Sequence, residues 1–201
     1  MAHRDTQDLN VLAIDTSSRH RTVCISTADD GTLRRADVRD GGAVSTAIPE
    51  SLAALLADGP GAVIVVDGPG SYTGVRAGMA AALGVAHAGG LPLYTVGALT
   101  VVASGVPAGD APCWLATDAG RGAVYIARLG PPDGWHRSTP VPRRAIAASL
   151  QLEGLPVYSA DSLPLSGLRR IDPAAALAGA VPAALARAPV EPAGLTAVYI
   201  S

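Results

Sequence analysis

A strand that ends in an aspartate, passes through a polar turn and returns as a second apolar strand occurs twice in this chain. The first copy is Leu12-Ala13-Ile14-Asp15 with Val23-Cys24-Ile25, and the second is Leu115-Ala116-Thr117-Asp118 with Val124-Tyr125-Ile126. A duplicated unit constrains the fold more than any other feature, because each half must complete a sheet of its own and cover it. The 201 residues are long enough for one large core or two small ones.

The segments between the copies supply the remaining parts. Asp29-Asp30-Gly31 is a tight-turn signal leading to a third strand near Thr32–Val38. A helix is expected over Pro49–Asp58, with Pro at its start and Gly59-Pro60 ending it. Ala62–Asp67 is apolar on both faces, as the interior strand of a doubly covered sheet would be. A glycine-rich loop, Gly68–Gly74, and a helix over Val75–Ala88 follow, then a strand over Pro92–Val96 and a helix over Ala98–Ser104. Pro, Gly and Asp gather at Val106–Asp110, which marks a boundary between units 1–106 and 107–201. In the second unit strands are expected over Cys113–Asp118, Ala123–Leu129, Trp135–Val141 and Leu155–Ser159. Helices are expected over Arg143–Leu150 and Pro173–Arg187, with Pro182 bending or dividing the last. The tail Leu195–Ile200 pairs as an edge or folds back on the first unit.

Composition excludes several chemistries. All fifteen basic residues are arginine, so neither a P-loop lysine nor a Schiff-base amine is present. The net charge is −2, with arginines scattered or in short pairs, whereas holding a nucleic-acid backbone takes a concentrated basic surface. Cys24 and Cys113 lie far apart in apolar stretches and read as buried free thiols. No run approaches the ~20 apolar residues of a membrane span, and the polar first ten residues lack a signal-peptide core; a cytoplasmic location is expected. His3, His20, His87 and His136 fall in separate segments without metal-ligand spacing, and Gly70-Ser71-Tyr72 is not a nucleophile elbow.

Three groups of residues are candidates for function. Asp15-Thr16-Ser17 and Asp118-Ala119-Gly120 close the two repeated turns, where they either approach a phosphate or metal or simply satisfy the turn through side-chain hydrogen bonds. Gly68, Gly70, Ser71, Thr73 and Gly74 lie between a buried strand and a helix N-terminus, a place that favours anions. Their spacing is neither dinucleotide-binding nor Walker A, and Ser71 or Thr73 equally serves as the helix cap. The helix after this loop is unusually rich in small residues, which suits close backbone approach to a sheet, a partner helix, or both. Its candidate contact residues are Arg76, Met79, Ala80, Leu83, Gly84 and His87.

The duplication resembles the actin/sugar-kinase/Hsp70-like architecture, an α/β fold with two related mixed-sheet subdomains facing each other across a cleft. In order along the chain, Ala13-Ile14-Asp15-Thr16-Ser17, Val66–Arg76, Leu91-Pro92 with Val96–Leu99, Asp118–Tyr125, Glu191-Pro192 and Val198-Tyr199-Ile200 resemble the TsaB (YeaZ-like) family. The resemblance implies a non-catalytic partner in bacterial tRNA N6-threonylcarbamoyladenosine formation. It would bind and activate the catalytic TsaD paralogue, work beside the TsaE ATPase, and meet tRNA only through that complex. It also implies no cofactor or metal of its own, with ATP or ADP in the assembled complex, and a homodimer when the chain is alone. One departure is plain: the family's His-Ser-Glu entry to its first helix is replaced here by Ser45–Glu50. Rival readings are an ATPase or phosphotransferase of the same fold, a metallopeptidase, and a self-associating homodimer with a separate regulatory role.

Overall fold

The computed structural model describes residues 9–130, 143–147, 150, 152 and 154–198. The first sheet is built from β1 (Val11–Asp15), β2 (Arg21–Thr27), β3 (Leu33–Asp40), β4 (Ala62–Gly68) and β5 (Leu93–Gly97), in the order β3-β2-β1-β4-β5. β1 pairs antiparallel with β2, and parallel with β4. The second sheet contains β6 (Cys113–Gly120), β7 (Ala123–Leu129), β8 (Arg143–Ile146), β9 (Val157–Ser159) and β10 (Leu168–Arg170), in the order β10-β9-β6-β7-β8. Again the first strand pairs antiparallel with the next and parallel with the fourth. Renumbered within each half, both sheets read 3-2-1-4-5, so the short repeat in sequence is the visible part of a complete topological duplication.

Among the described residues four α-helices cover these sheets: α1 (Val44–Leu55), α2 (Tyr72–Gly89), α3 (Ala98–Ser104) and α4 (Pro173–Leu185). Side chains alternate across the first sheet as strand geometry demands. Leu12, Ile14, Cys24, Val63 and Val65 face α1 and α2, meeting Leu55, Val75, Met79, Ala82 and Ala86. Val11, Ala13, Val23, Ile25, Ile64 and Val66 face α3 and α4. α3 is a wedge, because Ala98 and Val101 enter the first sheet's core while Leu99 and Val102 join Cys113, Leu115, Ala127 and Tyr158 of the second. Each fully buried Leu or Ile in these layers contributes about 1.5–3 kcal/mol of transfer free energy. α4 belongs to the second half in sequence, yet its buried residues Ala174–Ala184 complete the first sheet's core. The tail returns as well, with Val190 N–H donating to Leu93 O at 2.7 Å and Val198 N–H to Asp67 O at 2.7 Å.

Several sequence expectations are corrected. α1 starts at Val44 rather than Pro49, with extended Ala43 before its first turn and Pro49 inside the helix. The lost N–H of Pro49 removes a single bond to Ser45, too little to end a helix whose apolar face is buried. α2 starts at Tyr72, three residues earlier than expected. Arg143–Ile146 forms a strand rather than a helix, pairing Ala123 with Ile146 and Ile126 with Arg143; the ladder of β7 outweighs local propensity. β10 carries no strong signal of its own and forms by pairing with β9. The strand expected over Trp135–Val141 lies outside the described residues.

Pro182 neither divides nor ends α4. It leaves the carbonyl of Ala178 without its usual helical donor. The turn between β2 and β3 presses on that point, since a Cβ on Gly31 would lie 2.6 Å from Ala178 O. Gly31 has φ +87°, so the turn needs glycine for its conformation and for this approach alike. Both cysteines are free and buried, and burial pushes the Cys24 thiol up to about 12 and the Cys113 thiol up to about 11. Among the described residues no helix is long and apolar enough to cross a membrane.

Candidate functional site

The first repeated turn is folded around Asp15. Its Oδ1 accepts from the Ser17 N–H at 2.8 Å and the Ser17 hydroxyl at 2.6 Å, an Asx turn of the kind the residue types allow without any ligand. Asp15, Thr16 and Ser17 are all buried. Burial pushes the Asp15 carboxyl above its ordinary value, against the two Ser17 hydrogen bonds and the nearby Arg21, with Asp161 raising it further.

The glycine-rich loop lies directly on this turn. Ser71 N–H donates to Ser17 O at 2.7 Å, and the Thr16 hydroxyl donates to Gly74 O at 2.7 Å. A Cβ on Gly70 would stand 2.4 Å from Ser17 O, one on Gly74 2.1 Å from Thr16 O, and one on Gly78 2.2 Å from Thr16 Oγ1. Gly70 and Gly74 therefore let the loop and the first turn of α2 press against the backbone of the turn, and Gly78 makes room for the Thr16 side chain, which accounts for the loop without a phosphate cradle. Gly68 does the same for the tail, with Val198 O 2.7 Å from where its Cβ would be. Ser71 is the N-cap, its Oγ accepting from Gly74 N–H at 3.3 Å; Thr73 is exposed and does not cap.

Asp118 and Gly120 form the matching turn in the second half, where Gly120 N–H donates to Asp118 Oδ1 at 2.8 Å. Two arginines of the first turn reach across to this half. Arg19 Nε lies 3.4 Å from Asp118 Oδ2, its guanidinium so close over Gly120 that a Cβ there would stand 2.3 Å away. Arg21 Nη1 donates to Ala160 O at 2.8 Å, and Nη2 to Asp161 Oδ1 at 3.2 Å. Asp161 Oδ2 in turn accepts from Asp118 N–H at 3.2 Å. The mouth between the two sheets is thus closed by the chain's own paired charges. Arg19, Arg21 and Asp161 were not among the sequence candidates. Their signal was faint: arginines just after an aspartate turn, and an aspartate just past the end of a three-residue strand. Among the described residues there is no group of three or more His, Cys, Asp or Glu side chains arranged to hold a metal ion.

The outer side of α2 is a separate candidate surface. Arg76, Ala80, Gly84 and His87 are exposed along one stripe, and Leu83 is half-buried. Met79 is corrected: it is only 7% exposed and packs inward against the sheet, because it follows Val75 by four residues on the buried face. At the far end of the stripe, Leu56, Pro60, Gly84, Val85, Ala88, Gly89 and Leu91 line an apolar hollow of about 480 Å³. At the near end the Arg76 guanidinium stacks 3.8 Å from the centre of the Tyr72 ring.

The raised Asp15 carboxyl gives a prediction with a definite sign. A folded-state value above the unfolded one means the charged form opposes folding, so this carboxyl's contribution is lost as pH rises from about 4 through the raised value. Asp15→Asn should keep the Ser17 bonds, and its urea midpoint should exceed wild type by a margin that grows with pH and then levels. Midpoints measured from pH 4 to 8 check this, and a pH-independent difference would refute the assignment.

Comparison with known proteins extends these observations. Residues 52–131 match the family described as TsaD: tRNA N6-adenosine threonylcarbamoyltransferase. Uncharacterized proteins of Mycobacterium tuberculosis and Mycobacterium bovis are 38% identical over 125 residues, 59% of this chain. That match spans 58% of the length of these relatives. Among solved structures, YeaZ from Pseudomonas aeruginosa superposes with a TM-score of 0.72 at 19% identity, covering 96% of this chain and 100% of its own. A second Pseudomonas aeruginosa structure, an uncharacterized protein with similarity to peptidase YeaZ, gives the same TM-score and coverage at 17% identity. At these identities the superpositions establish the fold alone, that of YeaZ, with the two related mixed-sheet halves expected from the duplication. The chain is thus similar to the TsaD family over residues 52–131 and to YeaZ in its fold.

Proposed function

We propose that this chain is a non-catalytic partner subunit in formation of tRNA N6-threonylcarbamoyladenosine in the bacterial cytoplasm, binding and activating a catalytic TsaD paralogue. The observation that carries this reading is the closed mouth between the sheets. On this fold, a catalytic cleft would require the two aspartate turns to be open to a ligand. Here Arg19 and Arg21 lie between them, already paired with Asp118 and Asp161. The glycines of the neighbouring loop are taken up by backbone packing. The outer stripe of α2 is exposed, and its small side chains suit a helix of the paralogue at close range. TsaE and tRNA are then partners of the complex rather than of this chain, whose charge of −2 offers little to a phosphate backbone. ATP or ADP belongs to the assembled complex.

The test is co-purification with the TsaD paralogue of the same organism, followed by a tRNA threonylcarbamoylation assay with and without this chain. Binding and a dependence of the reaction on the chain are expected; failure of both would end the partner reading. The enzyme alternative is separated by titrating the isolated chain with Mg-ATP. No binding and no hydrolysis are expected, whereas turnover abolished by Asp15→Ala would establish an ATP-using enzyme instead. If the chain forms a stable homodimer that ignores the paralogue, a separate regulatory role takes its place.

A further inference from the structure

The first sheet ends in β5 on one side and in β3 on the other. The chain meets the β5 edge with its own tail, where Val190 N–H donates to Leu93 O. At the β3 edge the period of two fixes which backbone groups face outward. Gly41 N–H donates to His20 O at 2.7 Å, so Gly41, Arg39, Asp37 and Arg35 turn their N–H and C=O groups toward β2. Those of Ala36, Val38 and Asp40 point away from the sheet. All three residues are exposed, Val38 to 40%. Edge strands are ordinarily blunted by charge, proline or a bulge. The bulge in β3 is at Arg34, which the shift from Ser26–Arg35 to Thr27–Leu33 leaves unmatched, so residues 36–40 stay regular. Their charges are of both signs. Asp37 and Arg39 share the face toward α1, where Arg39 Nη2 donates to Asp37 Oδ2 at 3.0 Å and Nη1 pairs with Glu50.

We propose that β3 pairs antiparallel with β3 of a second copy of this chain, about a two-fold axis at Val38, joining the two first sheets into one. In this register Val38 faces Val38, and Ala36 faces Asp40 of the second copy, as hydrogen-bonded pairs that use the outward N–H and C=O groups. Asp37 of one copy stands opposite Arg39 of the other on the same face, in the closer, non-hydrogen-bonded positions. Moving the axis to Asp37 would set Asp37 against Asp37 and Arg35 against Arg39, like charges directly opposite. Moving it to Ala36 would bring the bulged Arg34 into the ladder opposite Val38. Charge and bulge thus select one register. The two-fold contact consumes the edge on both copies, so the assembly closes at two. α2 packs over β1, β4 and β5, away from this edge, and the inference stands whether or not the partner reading does.

The test is sedimentation velocity on the full chain over a range of concentrations, with amide exchange followed residue by residue by NMR and urea midpoints as the check on folding. A reversible dimer is expected, and the amides of Ala36, Val38 and Asp40 should exchange more slowly as concentration rises. Val38→Pro removes an outward N–H and leaves the ladder between β2 and β3 whole. It should raise the dimer dissociation constant about tenfold or more. Arg39→Asp sets like charges opposite and should weaken the dimer by a similar factor. Adding Asp37→Arg to Arg39→Asp restores opposite charges across the axis, and the dimer should return. A monomer at every concentration would overturn the proposal. So would a dimer that withstands Val38→Pro but is lost in Ala80→Arg, because the contact would then lie on α2. A folded double variant that stays as weak as Arg39→Asp would overturn it too.

Discussion

Gly74→Ala should destabilise the chain by about 3 kcal/mol, the upper end of what overpacking a rigid site costs. Gly74 has an ordinary helical environment in the first turn of α2, and alanine there would gain roughly 1 kcal/mol of helix propensity. The clash outweighs that gain, because the new Cβ would stand 2.1 Å from Thr16 O. The atom it meets is backbone, held by the buried Asp15 turn on one side and by the Thr16–Gly74 hydrogen bond on the other. Neither side chain rotation nor local relaxation removes it. For a chain of this size the midpoint of thermal unfolding should fall by about 6–12 °C. Gly84→Ala is the control on the same helix: nothing lies within 4 Å of its Cβ position, so the substitution should stabilise by roughly 1 kcal/mol. Opposite signs for one substitution at two sites are what thermal or urea unfolding should show. A mild effect at Gly74 would mean the turn and α2 are not in backbone contact, and the loop would again be free to hold an anion.

Ala80→Arg should weaken binding of the TsaD paralogue by about a hundredfold or more, equivalent to about 2.7 kcal/mol, while leaving unfolding unchanged within about 0.5 kcal/mol. Ala80 is exposed near the middle of the α2 stripe, between Arg76 and Gly84. An arginine there would hold a facing helix away from the small residues that allow close approach, and interface centres tolerate such changes least. Leu83→Arg is a poorer test, because Leu83 is half-buried and packs against the core of the first sheet; it should unfold the chain as well as block a partner. Titration calorimetry against the purified paralogue decides the matter. Normal binding by a folded Ala80→Arg chain would move the interface elsewhere, leaving the partner reading to the tRNA assay.

The sequence by itself determined the strands and their faces. Continuous apolarity in Val11–Ile14, Val23–Ile25 and Ala62–Val66 is a local consequence of burial on both faces of a pleated sheet. The turn aspartates, the loop between β4 and α2, and the small-residue character of α2 were legible for the same reason: each residue type answers a need of its own segment. Even the duplication could be read, from two short strings ending in Asp15 and Asp118. Where the reading failed, a long-range partner had overruled a local preference. Arg143–Ile146 became a strand because β7 offered a ladder, and Pro49 sits within α1 because the sheet rewards the helix's buried face.

Only the tertiary structure decided what the glycines and charges are for. Gly70 and Gly74 look alike whether they admit a phosphate or a neighbouring backbone, and their contacts appear only when the Thr16-Ser17 turn is set against the loop and α2. Asp161 meets Arg21 across 140 positions of sequence, and no spacing rule links residues so distant. Periodicity records which way a side chain points within its own element, but not what the other half of the molecule places before it. Hence Met79 could be read as surface from its helix alone, while its burial depended on where the sheet lay.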